Sequence, residues 1–157
     1  MLKRLLPERF DNHYRGHPGA IWLMGVFTIA SLAIGLLAIV SADSGAQSAD
    51  GIPLYSLTVG GASTIIAVVA LLGLAAFLRG VLCGLVLMRY RSMLPLMYLL
   101  VATSFLARKA IGLYKPIATD GVNSSETVTL VLTVFSVVGL VLSLVGKGYR
   151  STPSASA

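Results

Sequence analysis

Apolar residues in this chain fall into four long runs, 19–40, 58–88, 93–113 and 127–146, separated by short polar stretches. Neither strict alternation nor a narrow amphipathic stripe describes them. Each run covers about 20 residues or more, and at ~1.5 Å rise per residue a helix of that length crosses a hydrocarbon core of ~30 Å. The pattern predicts an all-α membrane protein with four transmembrane helices. The second and third runs are joined by Arg89-Tyr90-Arg91-Ser92-Met93-Leu94-Pro95, where two arginines bracket a tyrosine as the apolar character stops. Such a basic, aromatic turn suits the headgroup layer on the cytoplasmic side. Pro95 then falls in the first turn of the third helix, where its missing N–H is not needed.

The polar stretches set the limits of the helices. Residues 41–57 carry two acids, no base and several Gly, Ser and Pro, which reads as a solvated outer loop with turns at Asp50-Gly51 and Pro53. Residues 114–126 form a second outer loop, and Ser124 or Ser125 ahead of Glu126 suits the N-cap of the last helix. Before the first run, residues 1–18 read either as a short interfacial helix interrupted at Pro7 or as a basic, partly ordered tail. The basic start and Val40-Ser41-Ala42 raise the question of a secretory signal. Signal h-regions run only ~7–15 residues, so an uncleaved first span is expected. After the fourth run, 148–157 is a Ser/Ala/Pro tail expected to be disordered.

Composition agrees with the pattern. The 157 residues are 56% hydrophobic and only 11% charged, with mean hydropathy +0.87. A soluble domain is about 25% charged, so the bilayer is the expected solvent. The net charge of +6 does not indicate nucleic acid, because the basic residues sit at the ends of apolar runs. There they meet anionic lipid. With both termini cytoplasmic, the inner segments and Arg79 hold nine of the twelve basic residues, and the outer side holds four of the six acids. That asymmetry satisfies the positive-inside rule and predicts an up-down-up-down bundle whose neighbouring helices pack antiparallel. Arg89, Arg91 and Lys147 would lie at the inner interface, Arg108 and Lys109 at the outer one. Cys83 lies inside an apolar run and reads as a small buried hydrophobe.

The four runs contain no Asp, Glu or His. The composition of the runs therefore speaks against an intramembrane proton relay, a b-type haem held within the membrane, and a hydrolase, which need such groups. His13 and His17 are four apart, but Gly16 and Pro18 argue against a regular helix there, and no metal or other cofactor is expected. Small residues recur four apart: Ser31 and Gly35; Ala76, Gly80 and Gly84; Gly139 and Ser143. Such rows let helix backbones approach closely, either within the bundle or against a second protein. Arg79 is the sharpest candidate for a ligand-binding residue. The second run is long enough to cross by Leu78, which would leave Arg79 at the inner surface. If the helix instead continues to Arg89, Arg79 lies ~15 Å inside its end. Counting ten residues inward from each inner end then reaches Thr28, Thr103, Ser104 and Ser136, a layer of hydroxyls that would bind an anionic lipid or polar small molecule with Arg79, the alternatives being an arginine that snorkels to the inner leaflet or one that meets a partner's acidic side chain.

Several segments, Tyr14-Arg15-Gly16, Ser48-Ala49-Asp50-Gly51-Ile52-Pro53-Leu54, Arg89-Tyr90-Arg91-Ser92-Met93-Leu94-Pro95-Leu96-Met97 and Arg108-Lys109, resemble landmarks of a family of small uncharacterised bacterial inner-membrane proteins with four predicted helices. The resemblance covers about residues 14–146. It implies a bacterial inner-membrane location and the four-helix topology, and carries no activity across. Many relatives in that family have an acid shortly before the Arg-Lys pair, where this chain has Thr103-Ser104-Phe105, which speaks against an acid–base role for the third helix. The sequence thus points to a non-enzymatic structural or accessory membrane protein. Its expected partners are the bilayer, anionic lipids at the cytoplasmic face, and other membrane subunits or itself. A transporter, channel or lipid-binding protein built on Arg79 is the alternative.

Overall fold

The computed structural model describes residue 14 and residues 16–116, 119 and 124–145. The interfacial or tail reading of 1–13, His13, Lys147 and the C-terminal tail lie outside the described residues. The four apolar runs form four helices: α1 Pro18–Val40, α2 Val59–Arg89, α3 Leu94–Tyr114 and α4 Ser124–Leu144. All four are long and apolar enough to cross a membrane.

Local chemistry fixes where each begins and ends. His17 caps α1: its Nδ1 accepts the Gly19 N–H at 3.1 Å, and Pro18 follows as the first helical residue. Its ring nitrogen therefore serves the helix end. Thr58 caps α2 in the same way, its hydroxyl accepting the Gly61 N–H at 3.2 Å. At the other end of α2 the chain leaves the helix at Tyr90, takes one 3-10 turn, Arg91–Met93, and enters α3 with Pro95 in its first turn. The Arg91 Nε donates to the Leu87 carbonyl at 2.9 Å, satisfying one of the C-terminal carbonyls that an ending helix leaves free.

The packing pairs are unequal. α1 lies along most of α2, α3 packs on α4, and α4 packs on α1. α2 and α3 have the shortest connection yet meet only sparingly. The α1–α2 seam is close because both helices present glycine. A Cβ built on Gly35 would lie 2.5 Å from the Phe77 nitrogen and 2.7 Å from the Gly73 carbonyl oxygen, and one on Gly80 would lie 3.0 Å from Leu32. Between α3 and α4, Gly139 makes room for the Tyr98 ring, and the buried Tyr98 hydroxyl donates to the Ala20 carbonyl of α1 at 2.6 Å. The core gathers toward the turn end of the bundle: Ala20, Met24 and Phe27 from α1, Cys83 and Val86 from α2, Leu94, Tyr98, Val101 and Phe105 from α3.

The loop between α1 and α2 is more than a solvated connection. The Asp43 carboxylate accepts the backbone N–H of Ser48 at 2.8 Å and of Gly45 at 3.1 Å, folding 43–48 around a buried Ala46. Ser44, Gly45 and Gly51 take the left-handed backbone this tight path needs. The Ala49 carbonyl then accepts the Ser125 N–H at 3.2 Å, tying the loop to the start of α4. These bonds, from Ser48 first and Gly45 second, hold the Asp43 carboxyl below the usual carboxylate range. A depressed folded pKa means the stabilisation is present above the ordinary carboxylate pKa and is lost as pH falls through the depressed value. Asp43→Ala is expected to reduce hydrogen-exchange protection of the Gly45 and Ser48 amides about tenfold at neutral pH, the scale of one charge-assisted hydrogen bond. Unchanged protection would mean that Asp43 does not organise the loop.

Candidate functional site

α2 is one continuous helix of 31 residues, so Arg79 sits inside it, ten residues or ~15 Å from the Arg89 end. The Cα–Cβ bond of a helical residue leans toward its helix N-terminus. On α2 that direction leads away from the basic turn, so snorkelling toward Arg89 runs against the backbone. The guanidinium carbon instead lies 5.2 Å from the centre of the Phe105 ring on α3. Phe105 in turn meets Phe27 of α1 edge to face, with centroids 6.1 Å apart and planes at 85°. The Arg79 Nε is buried with no hydrogen-bond partner. No carboxylate occurs in α1, α2 or α3, and the only one in α4 is Glu126.

Magnitudes show what this contact achieves. A charged side chain at the centre of a membrane helix is disfavoured by roughly 2.5–3.5 kcal/mol on insertion scales, and a desolvated cation–π contact contributes about 2 kcal/mol. Phe105 therefore offsets part of the burden of Arg79 and leaves a guanidinium with donors to spare.

The hydroxyls at the counted level serve their own helices. Thr28 is buried and donates to the Met24 carbonyl at 2.7 Å, Ser104 donates to Val101 at 2.7 Å, and Ser136 donates to Thr133 at 2.8 Å. Thr103 is exposed. None of these hydroxyls hydrogen-bonds the buried Nε of Arg79. Counting residues gives depth and leaves the direction around the axis open. The residues that meet the guanidinium and brace its ring are the immediate neighbours of two counted ones, Phe105 beside Ser104 and Phe27 beside Thr28. The aromatics one residue from Thr28 and from Ser104 are the available signal.

The small-residue rows go into the bundle's own seams. Gly35 and buried Ser31 belong to the α1–α2 seam with Gly80, and a Cβ on Gly84 would meet the Thr28 methyl at 3.5 Å; Ala76 is half-buried. Gly139 lodges Tyr98, and Ser143 is buried one turn further along α4. Of the basic residues, Arg89 and Arg108 are exposed, and Lys109 Nζ pairs with Glu126 at 2.6 Å. Arg108 has no ion-pair partner among the described residues.

Such a fold, with one cation at the edge of an otherwise apolar core, is that of an all-helical, multi-pass membrane protein. Comparison with known proteins finds no family model, no curated relative and no solved structure that matches the chain.

Proposed function

We propose that this chain is a non-enzymatic membrane protein of the bacterial inner membrane, with both termini cytoplasmic, that works as a structural or accessory subunit through its helix surfaces. The observation that carries this reading is the position of α2. It is the longest helix, packed along one side by α1 and scarcely touched by α3. Leu71, Leu78, Leu82 and Leu85 remain exposed along it, and an apolar groove bounded by Ile39, Ala67, Ala70, Leu71 and Leu74 runs where it borders α1. Because the small-residue rows are used inside the bundle, a partner helix would meet this ridge of leucines instead.

Photo-crosslinking residues placed at Leu71, Leu78 and Leu82 are expected to trap one discrete protein, either a second copy or another membrane subunit, at native expression level. Crosslinks to lipid alone at all three positions would defeat the accessory reading. A second reading, ligand binding at Arg79, is favoured by its orphaned Nε and is developed next.

A further inference from the structure

On α2, the stripe that carries Arg79 continues through Cys83 and Val86, both buried toward the turn end. In the other direction it passes to Ala75 and Leu72, both exposed. α3 behaves the same way. Val101 and Phe105 are buried; Arg108, one turn further on the same face, is exposed; and a Cβ built on Gly112, one turn beyond, meets nothing within 4 Å. The core between α2 and α3 thus closes at Arg79 and Phe105 and opens above them into a cleft. Helix geometry leans the Arg79 side chain away from the turn and the Arg108 side chain back toward it, so the two converge at the floor of this cleft. Arg108 stands one turn along α3 from Phe105, the ring that the Arg79 guanidinium meets.

Two arginines that converge without a carboxylate repel each other unless an anion lies between them. The nearest acid on α4, Glu126, is already engaged by Lys109. We propose that Arg79 and Arg108 bind the oxyanion head of an amphiphile, a lipid phosphate or a fatty-acid carboxylate, in the cleft between α2 and α3. The guanidinium fork matches such oxygens in bidentate fashion. Phe105 fixes Arg79 from below, and the unpartnered Nε adds a donor. The acyl chain runs along Leu78, Leu82 and Leu85 of α2, which border the arginine stripe and are exposed. A free inorganic anion would leave those leucines unused, so an amphiphile fits the cleft better. The oxyanion site at the two arginines requires no protein partner, whereas a partner helix and the acyl chain would compete for Leu78 and Leu82.

The test is native mass spectrometry of the detergent-solubilised full chain, titrated separately with phosphatidylglycerol, oleate, phosphatidylcholine and inorganic phosphate. One equivalent of phosphatidylglycerol or oleate is expected to stay bound, and which of the two does so identifies the head as phosphate or carboxylate. Arg79→Gln and Arg108→Gln are each expected to weaken that binding about tenfold or more, as removal of a charge-assisted contact does. Arg89→Gln, at the exposed end of α2, is expected to leave it unchanged. Arg108 is exposed, so its variant keeps the test valid even if Arg79→Gln misfolds. Equal retention by the Arg108 variant and the parent overturns the proposal. So does inorganic phosphate binding as tightly as the lipids, or a partner protein's carboxylate crosslinking at Arg108 in a chain that carries no anionic lipid.

Discussion

Gly35→Ala is expected to lower the thermal unfolding midpoint in mild detergent by roughly 2–12 °C. The added Cβ would sit 2.5 Å from the Phe77 nitrogen, 2.7 Å from the Gly73 oxygen and 2.8 Å from the Phe77 Cα. All three are backbone atoms of α2, so no rotamer change can relieve the overlap. α1 and α2 would have to separate along the seam that holds most of their contact. In a bilayer there is no hydrophobic drive to push them back together; van der Waals contact is what the seam supplies. Overpacking of a close contact is destabilising by roughly 1–3 kcal/mol, which at ~2–4 °C per kcal/mol gives the expected shift. Gly112→Ala is the matched comparison. Nothing lies within 4 Å of its added Cβ, and replacing this glycine of the last turn of α3 by alanine is expected to stabilise slightly, by at most roughly 0.5–1 kcal/mol. If both variants move the midpoint in the same direction, the α1–α2 crossing is not as close as described.

The same pair of glycines shows what a single sequence makes legible. Four long apolar runs leave little choice but four helices long enough to span a membrane, and caps such as Thr58 and the proline after the basic turn mark their ends. Rows of small residues four apart point to close backbone contact, and Gly35 and Gly80 make it. Pairing was harder. Adjacent helices with a short connection are expected to pack along their length, yet α2 and α3 meet only sparingly. Above Phe105 their facing stripes offer Arg108 and Gly112 on one side and Ala75 on the other, which build no apolar seam. The loop acids were read as solvent-facing because a carboxylate in a Gly/Ser-rich stretch leaves no periodic signal. That Asp43 gathers the Gly45 and Ser48 amides depends on left-handed backbone at Ser44 and Gly45, which only coordinates reveal. For Arg79, residue counting gives depth; its companion Phe105 depends on the angle of α3 about its own axis, which no residue count supplies.

The second large effect is expected at Gly139, and it tests how the two halves of the bundle are locked together. Alanine there would drive its Cβ into the Tyr98 ring. A ring at the surface would swing aside, but Tyr98 is only 2% exposed and its hydroxyl is anchored to the Ala20 carbonyl at 2.6 Å. One methyl group on α4 therefore disturbs α3 directly and α1 through the hydrogen bond. The expected loss combines overpacking, roughly 1–3 kcal/mol, with a buried hydrogen bond, about 0.5–1.5 kcal/mol. Tyr98→Leu alone forfeits the same hydrogen bond and leaves the Gly139 side underfilled. In the double variant the smaller side chain makes room for the new methyl, so its destabilisation is expected to fall below the sum of the two single losses by about 1 kcal/mol or more, the range seen for residues in direct contact. Reversible unfolding of the four proteins in one detergent measures the coupling. Strict additivity would show that Tyr98 does not occupy the space Gly139 leaves open, and the three-helix junction of α1, α3 and α4 would have to be drawn differently.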